Sequence, residues 1–85
     1  MTYSEIYALR IQQLCFKNNI TINKLATLAG LKQSTIDNII RGTSKNPKVR
    51  TLHKIATVFG MTLSEFLNFP ELNNYSIDDE EELIE

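Results

Sequence analysis

Apolar residues recur three and four positions apart along most of the first 70 residues, and no stretch shows the alternation of a half-buried strand. Thr2 and Glu5 stand at capping-box spacing, with Ser4 as a second candidate cap. Ile6, Leu9, Ile11 and Leu14 follow at helical intervals and predict a first helix to about Lys17. Asn18-Asn19 interrupts it. Thr21 is a good N-cap for a short second helix through Leu25, Ala26 and Ala29, and Gly30 stops that helix by a left-handed turn. A third helix, about 33–40, turns Ile36 and Ile39 inward and leaves Ser34, Thr35, Asp37 and Asn38 outside, before Gly42 closes it.

Residues 43–47 are polar, end in Pro47 and predict a loop. A fourth helix from about Val49 to Phe59 places Leu52, Ile55, Ala56 and Phe59 on one face. Gly60 ends it. Thr62 and Glu65 form another capping box for a short fifth helix through Leu63, Phe66 and Leu67, with Pro70 marking its limit. Beyond Glu71 no strong cap occurs, and residues 78–82 are five consecutive acids, a pattern typical of a solvated segment. The reading is all-α: five helices in one domain over residues 1–69, with a short acidic tail over 70–85.

Helices two and three, joined at Leu28-Ala29-Gly30-Leu31, carry the specific signal. Ala26 is small where a larger side chain would force the two helices apart, Gly30 supplies the sharp turn, and Ile36 packs back into the angle between them. These constraints at this spacing define a helix-turn-helix.

At these residues the chain resembles the Xre family, the DNA-binding domains of phage repressors, Cro proteins and many small bacterial regulators. The resemblance covers about residues 6–69. It rests on Thr21, Leu25-Ala26, Ala29-Gly30, Ser34-Thr35-Ile36, Arg41-Gly42, Asn46-Pro47, Thr51-Leu52, Lys54-Ile55-Ala56, Phe59-Gly60 and Leu63-Ser64-Glu65-Phe66-Leu67. It implies that the third helix enters the major groove and offers Gln33, Ser34 and Asn38 to base edges, with Lys32 and Thr35 beside them. The chemistry agrees: Gln and Asn can bond adenine in bidentate fashion, and Ser or Thr can donate or accept. The resemblance also lays the loop on the DNA backbone, where Thr43, Ser44, Lys45, Asn46 and Lys48 offer donors to phosphates, joined by Thr21, Lys24 and Arg41. Arg10 is a weaker candidate.

Three departures limit the transfer. The family commonly has Gln where Ile22 stands, and Ile22 can neither brace the third helix nor touch DNA by hydrogen bonds. Lys24 replaces the usual capping-box Glu, which weakens the cap and adds a cation. Many members pair a buried Arg late in helix one with a Glu near the end of helix three, where this chain has Cys15 and Ile40. Exchanging both charges for apolar groups avoids stranding one of them, so Cys15 and Ile40 are expected to be buried in mutual contact.

Composition narrows the classes further. At 85 residues and 42% apolar content the chain suits one domain with a modest core, and no apolar run approaches the roughly 18 residues of a membrane span. The first residues lack the basic and apolar pattern of a signal peptide, so a cytoplasmic location is expected. The net charge of −1 conceals a division. Residues 1–70 hold all nine basic residues against three acids, net +6, whereas residues 71–85 hold seven acids and no base, net −7. A basic head suggests a polyanionic partner. With one Cys (Cys15) and one His (His53), neither a metal site nor a Cys/His catalytic pair is expected, no cofactor is implied, and an enzyme is disfavoured.

The leading expectation is a sequence-specific regulator of transcription, repressor or activator, that binds a palindromic operator in double-stranded DNA as a homodimer. The alternative is an antitoxin that binds its own operator while its tail binds a toxin. A pure protein-interaction module is a further possibility, and it predicts no salt-dependent DNA binding. By resemblance the dimer interface lies near the loop after helix three and helix five. Phe66, Phe69, Leu72 and Tyr75 either extend it or cover their own domain. The tail has three readings: a disordered solubilising end, a segment that binds a second subunit or a protein partner, or a DNA mimic that competes for the basic face.

Overall fold

The chain opens as its first residues dictate. The Thr2 hydroxyl accepts the Glu5 amide, and the Glu5 carboxylate accepts the Thr2 amide at 2.8 Å, so α1 (Tyr3–Lys17) begins on a complete capping box. In this computed structural model, which describes residues 2–79, α1 is followed by α2 (Ile22–Ala29), α3 (Gln33–Ile40), α4 (Val49–Val58), α5 (Leu63–Leu67) and α6 (Pro70–Asn73), with a 3₁₀ turn at Ile77–Asp79. No strand occurs among the described residues, and no helix there is long and apolar enough to cross a membrane.

One device ends four of these helices. In α1, α2, α3 and α4 the backbone turns left-handed at Asn19, Gly30, Gly42 and Gly60, and the next amide reaches back to a carbonyl inside the helix: Ile20 to Cys15, Leu31 to Ala26, Thr43 to Asn38, Met61 to Ala56. At three of the four ends the residue after the turn is apolar, and Ile20, Leu31 and Met61 pack on the core. At the end of α3 it is Thr43, exposed and polar. The chain is thereby directed inward after α1, α2 and α4 and along the surface after α3.

Ile11, Leu14, Leu25, Ala26, Ile36, Ile39, Leu52, Ile55, Ala56 and Phe66 form the core. Ala26 is 2% exposed and Ile36 wholly buried, as the close crossing of α2 and α3 requires. Helix α3 also packs on α1, and α4 on both α2 and α5, so the helix-turn-helix is supported by α1 and α4. Arg10 ties α1 to α5. Its Nε donates to the Phe66 carbonyl at 3.0 Å and its terminal nitrogen to the Glu65 carbonyl at 3.1 Å, while the guanidinium lies 4.9 Å from the Phe69 ring centroid. This cation bonds the carbonyl end of α5 and so has a role in the fold.

Several expectations change here. Pro70 lies beyond the end of α5 as expected, but it also opens a sixth helix that was not expected, α6, where its missing amide costs nothing and its fixed φ suits a helix. Ser4 is not a cap: it is wholly buried. Of the two readings left open for Phe66 and Phe69, the one that places them in their own domain agrees with their exposures of 0% and 4%. Cys15 is buried as expected, but Ile40 is only half-buried against the core cluster that includes Cys15. Neither residue is in open solvent. What the sequence suggested for residues 80–85 lies outside the described residues.

Candidate nucleic-acid interface

The left-handed turn at Gly30 ends α2 after eight residues and redirects the chain into α3 within two. Since Ile36 and Ile39 hold α3 by its inner face, Lys32, Gln33, Ser34 and Asn38 are exposed on the other, with Thr35 and Asp37 half-exposed. All five residues expected at base edges therefore share one outer surface. The Gln33 amide is not a loose side chain. Its Nε2 donates to Asp37 Oδ1 at 3.0 Å one turn later, a bond that uses one of the two N–H groups and does not use Oε1.

Asn38 joins this helix to the loop after it. Its carbonyl accepts the amides of Thr43 and Ser44 at 2.9 and 3.0 Å, and the Thr43 hydroxyl reaches both that carbonyl, at 3.1 Å, and Asn38 Oδ1, at 3.3 Å. Thr43 thus gives its amide and its hydroxyl proton to α3, and acts as a brace more than as a free phosphate donor. Ser44 is half-buried, and its carbonyl accepts the Ser4 hydroxyl from the start of α1. With Ser44 fixed, Lys45, Asn46 and Lys48 stand exposed along the loop. Thr35, Asn38, Ser44, Asn46, Lys48 and Thr51 line one polar groove between α3 and the loop.

Thr21 and Lys24 lie apart from that groove at the start of α2. The Thr21 hydroxyl accepts the Lys24 amide at 3.0 Å, so the cap survives without the Glu that Lys24 replaces, and its own proton stays available. Ile22 is half-buried against the core, as its side chain dictates. Helices α3 and α4 open on Lys32 and Lys48 with no side-chain cap, unlike α1, α2 and α5. First-turn amides lack intrahelical partners, and a lysine at each start adds positive charge to them. Arg41 is exposed at the end of α3. From residue 32 to residue 50 five basic residues face one acid, Asp37, so the surface is cationic.

Ser4, Asp37 and the tyrosines beside the loop were not singled out from the sequence as parts of this surface. The Gln33 and Asp37 pairing was legible from its one-turn spacing. The others had no local signal, because their partners lie far along the chain.

Comparison with known proteins agrees with this geometry. A family model described as a Cro/C1-type helix-turn-helix DNA-binding domain matches residues 10–71. Among solved structures, the crystal structure of the prophage Lp1 protein 11 is similar to this chain at 36% identity and a TM-score of 0.79, over 88% of this chain and 99% of that one. No curated protein matches it significantly.

Proposed function

The chain belongs to the Cro/C1-type helix-turn-helix DNA-binding family, and we propose that it is a transcriptional regulator that reads a palindromic operator in double-stranded DNA. The observation that carries this reading is the outer surface of α3, where Gln33 is held by Asp37 and Asn38 is braced by Thr43 on a helix whose other face is locked in the core. Side chains held in place before binding lose little freedom on contact, which is what discrimination between base edges requires.

In this proposal Gln33, Ser34 and Asn38 contact bases, with Lys32 and Thr35 beside them. Lys45, Asn46, Lys48, Thr21, Lys24 and Arg41 hold phosphates. Ser44 serves as the loop's anchor and Thr43 as its brace, each still near enough to the backbone to contribute a contact. Residues 1–69 form the DNA-binding unit, and residues 70–85 are an appendage to it. A single module of this size reads few base pairs, so a homodimer on two half-sites is part of the proposal. With Phe66 and Phe69 buried, the surface for it is Val49, 63% exposed beside the loop, together with the half-buried Leu63 and Leu67. An antitoxin role would keep the operator on this face and add a protein partner bound by the tail.

Selection of duplexes from a random pool tests the reading. A recovered motif with two related half-sites about one helical turn apart, bound with an affinity that falls steeply with salt, is the expected outcome. Recovery of no motif, with binding indifferent to salt, would refute it.

A further inference from the structure

Tyr75, which follows α6, lays its ring edge-on against Tyr3 with centroids 4.9 Å apart, and Tyr3 stacks on Tyr7 at 6.2 Å. Tyr3 and Tyr7 in turn line a groove whose opposite wall is Lys45, Asn46 and Pro47 of the loop after α3. The segment leaving the domain is therefore fastened beside the loop assigned above to DNA phosphates. Asp78 comes three residues after Tyr75, a span of no more than roughly 10 Å even when extended, and it opens the run of five acids at 78–82.

We propose that the groove of Tyr3, Tyr7, Lys45, Asn46 and Pro47 is a docking surface for the chain's own acidic run, residues 78–82, which competes there with DNA phosphates. Two observations commit the surface to this occupant: the ring contact that delivers the segment, and the opposition of a head at +6 to a tail at −7. Tethering supplies the rest. A segment linked by a few residues meets its site at an effective concentration in the millimolar range, so a weak contact between its carboxylates and Lys45 suffices to compete. The tail then sets a threshold. Weak non-specific duplexes are rejected, while a specific operator, with base contacts in addition to phosphate contacts, displaces the run.

The competition rests on the DNA-binding reading, but the docking can be tested without DNA. In the full chain at low salt, neutralising the run (D78N/D79N/E80Q/E81Q/E82Q) is expected to move the NMR resonances of Lys45 and Asn46, and the two chains are expected to converge as salt screens the contact. Resonances that do not differ would overturn the docking. With a mixed-sequence duplex at low salt, the neutralised chain is expected to bind about three- to tenfold more tightly than the wild type. Tyr75→Ala keeps every carboxylate and is expected to show part of that gain, whereas Tyr75→Phe keeps the ring contact and is expected to match the wild type. A gain in the neutralised chain with none in Tyr75→Ala would reduce the effect to net charge and overturn the delivery by Tyr75. If neither chain bound any duplex, the DNA-binding reading would fail, and the Lys45 and Asn46 resonances would still decide the docking.

Discussion

Ser4 donates its hydroxyl to the carbonyl of Ser44, forty residues away, and so fastens the loop that follows α3 to the first turn of α1. Ser4 is wholly buried, so the bond is shielded from competing water. The bonds from Thr43 and Ser44 to Asn38 tie the start of this loop to α3, and the Ser4 bond ties it to α1. The relationship joins the fold to the candidate function, because the loop's position sets where Lys45, Asn46 and Lys48 meet a phosphate backbone.

Ser4→Ala removes the donor and leaves the Ser44 carbonyl without its partner. A loss of about 1 kcal/mol in unfolding free energy is expected, read from urea titration, at the size of a typical buried hydrogen bond. DNA affinity is expected to fall for every sequence alike, since the loop loosens while α3 does not. A stability equal to wild type would show that the loop is held by something else.

Arg10→Lys is expected to be nearly as damaging as Arg10→Ala. Lysine keeps the charge but cannot reach the Phe66 and Glu65 carbonyls with a planar fork while covering the Phe69 ring. Each variant is expected to lose about 2 kcal/mol, the scale of charged hydrogen bonds with a cation-aromatic contact. The salt dependence of DNA binding is expected to stay unchanged, because Arg10 faces α5. A shallower salt slope in Arg10→Ala would instead place this cation on a phosphate.

Glu5 and Glu65 predict how the fold responds to acid. Hydrogen bonds from Thr2 and Thr62, chiefly from their backbone amides, hold both carboxyls below the ordinary value of 4.5. The folded chain therefore binds these protons less readily than the unfolded chain. Stability from the two caps is complete above the unfolded value and is lost as pH falls through the lower folded values. Urea midpoints measured from pH 6 downward are expected to fall less steeply in Glu5→Gln/Glu65→Gln than in wild type. Identical slopes would show that the carboxylate form of the caps contributes nothing.

The parts of this molecule that could be read from the chain are those whose partners lie within about one helical turn. Thr2, Thr21 and Thr62 cap helices because the amide they accept is three residues on, and Gly30 ends α2 through bonds to residues just before it. Ala26 and Ile36 were legible because two short helices that cross closely leave few choices at the crossing. Ser4, Arg10 and Tyr75 were not. Their partners are 40, 55 to 56 and 72 residues distant, and nothing beside Arg10 in the sequence separates a cation for a phosphate from one for a helix end. Pro70 marked the limit of α5 as read, but the short α6 that it opens was missed, because proline both ends one helix and begins the next and α6 has no side-chain cap to signal it.

In the proposed complex the exposed face of α3 reads bases and the following loop holds the backbone. Wild type, Gln33→Ala and Lys45→Ala, each measured on one preferred duplex and on its single-base-pair substitutions, compare the two roles directly. Gln33→Ala is expected to lose about 1 to 3 kcal/mol of discrimination at one or two positions and little elsewhere. Lys45→Ala is expected to weaken every duplex by the same factor and to lower the salt slope by about one. Uniform losses for both variants, with base preference intact in each, would contradict the account.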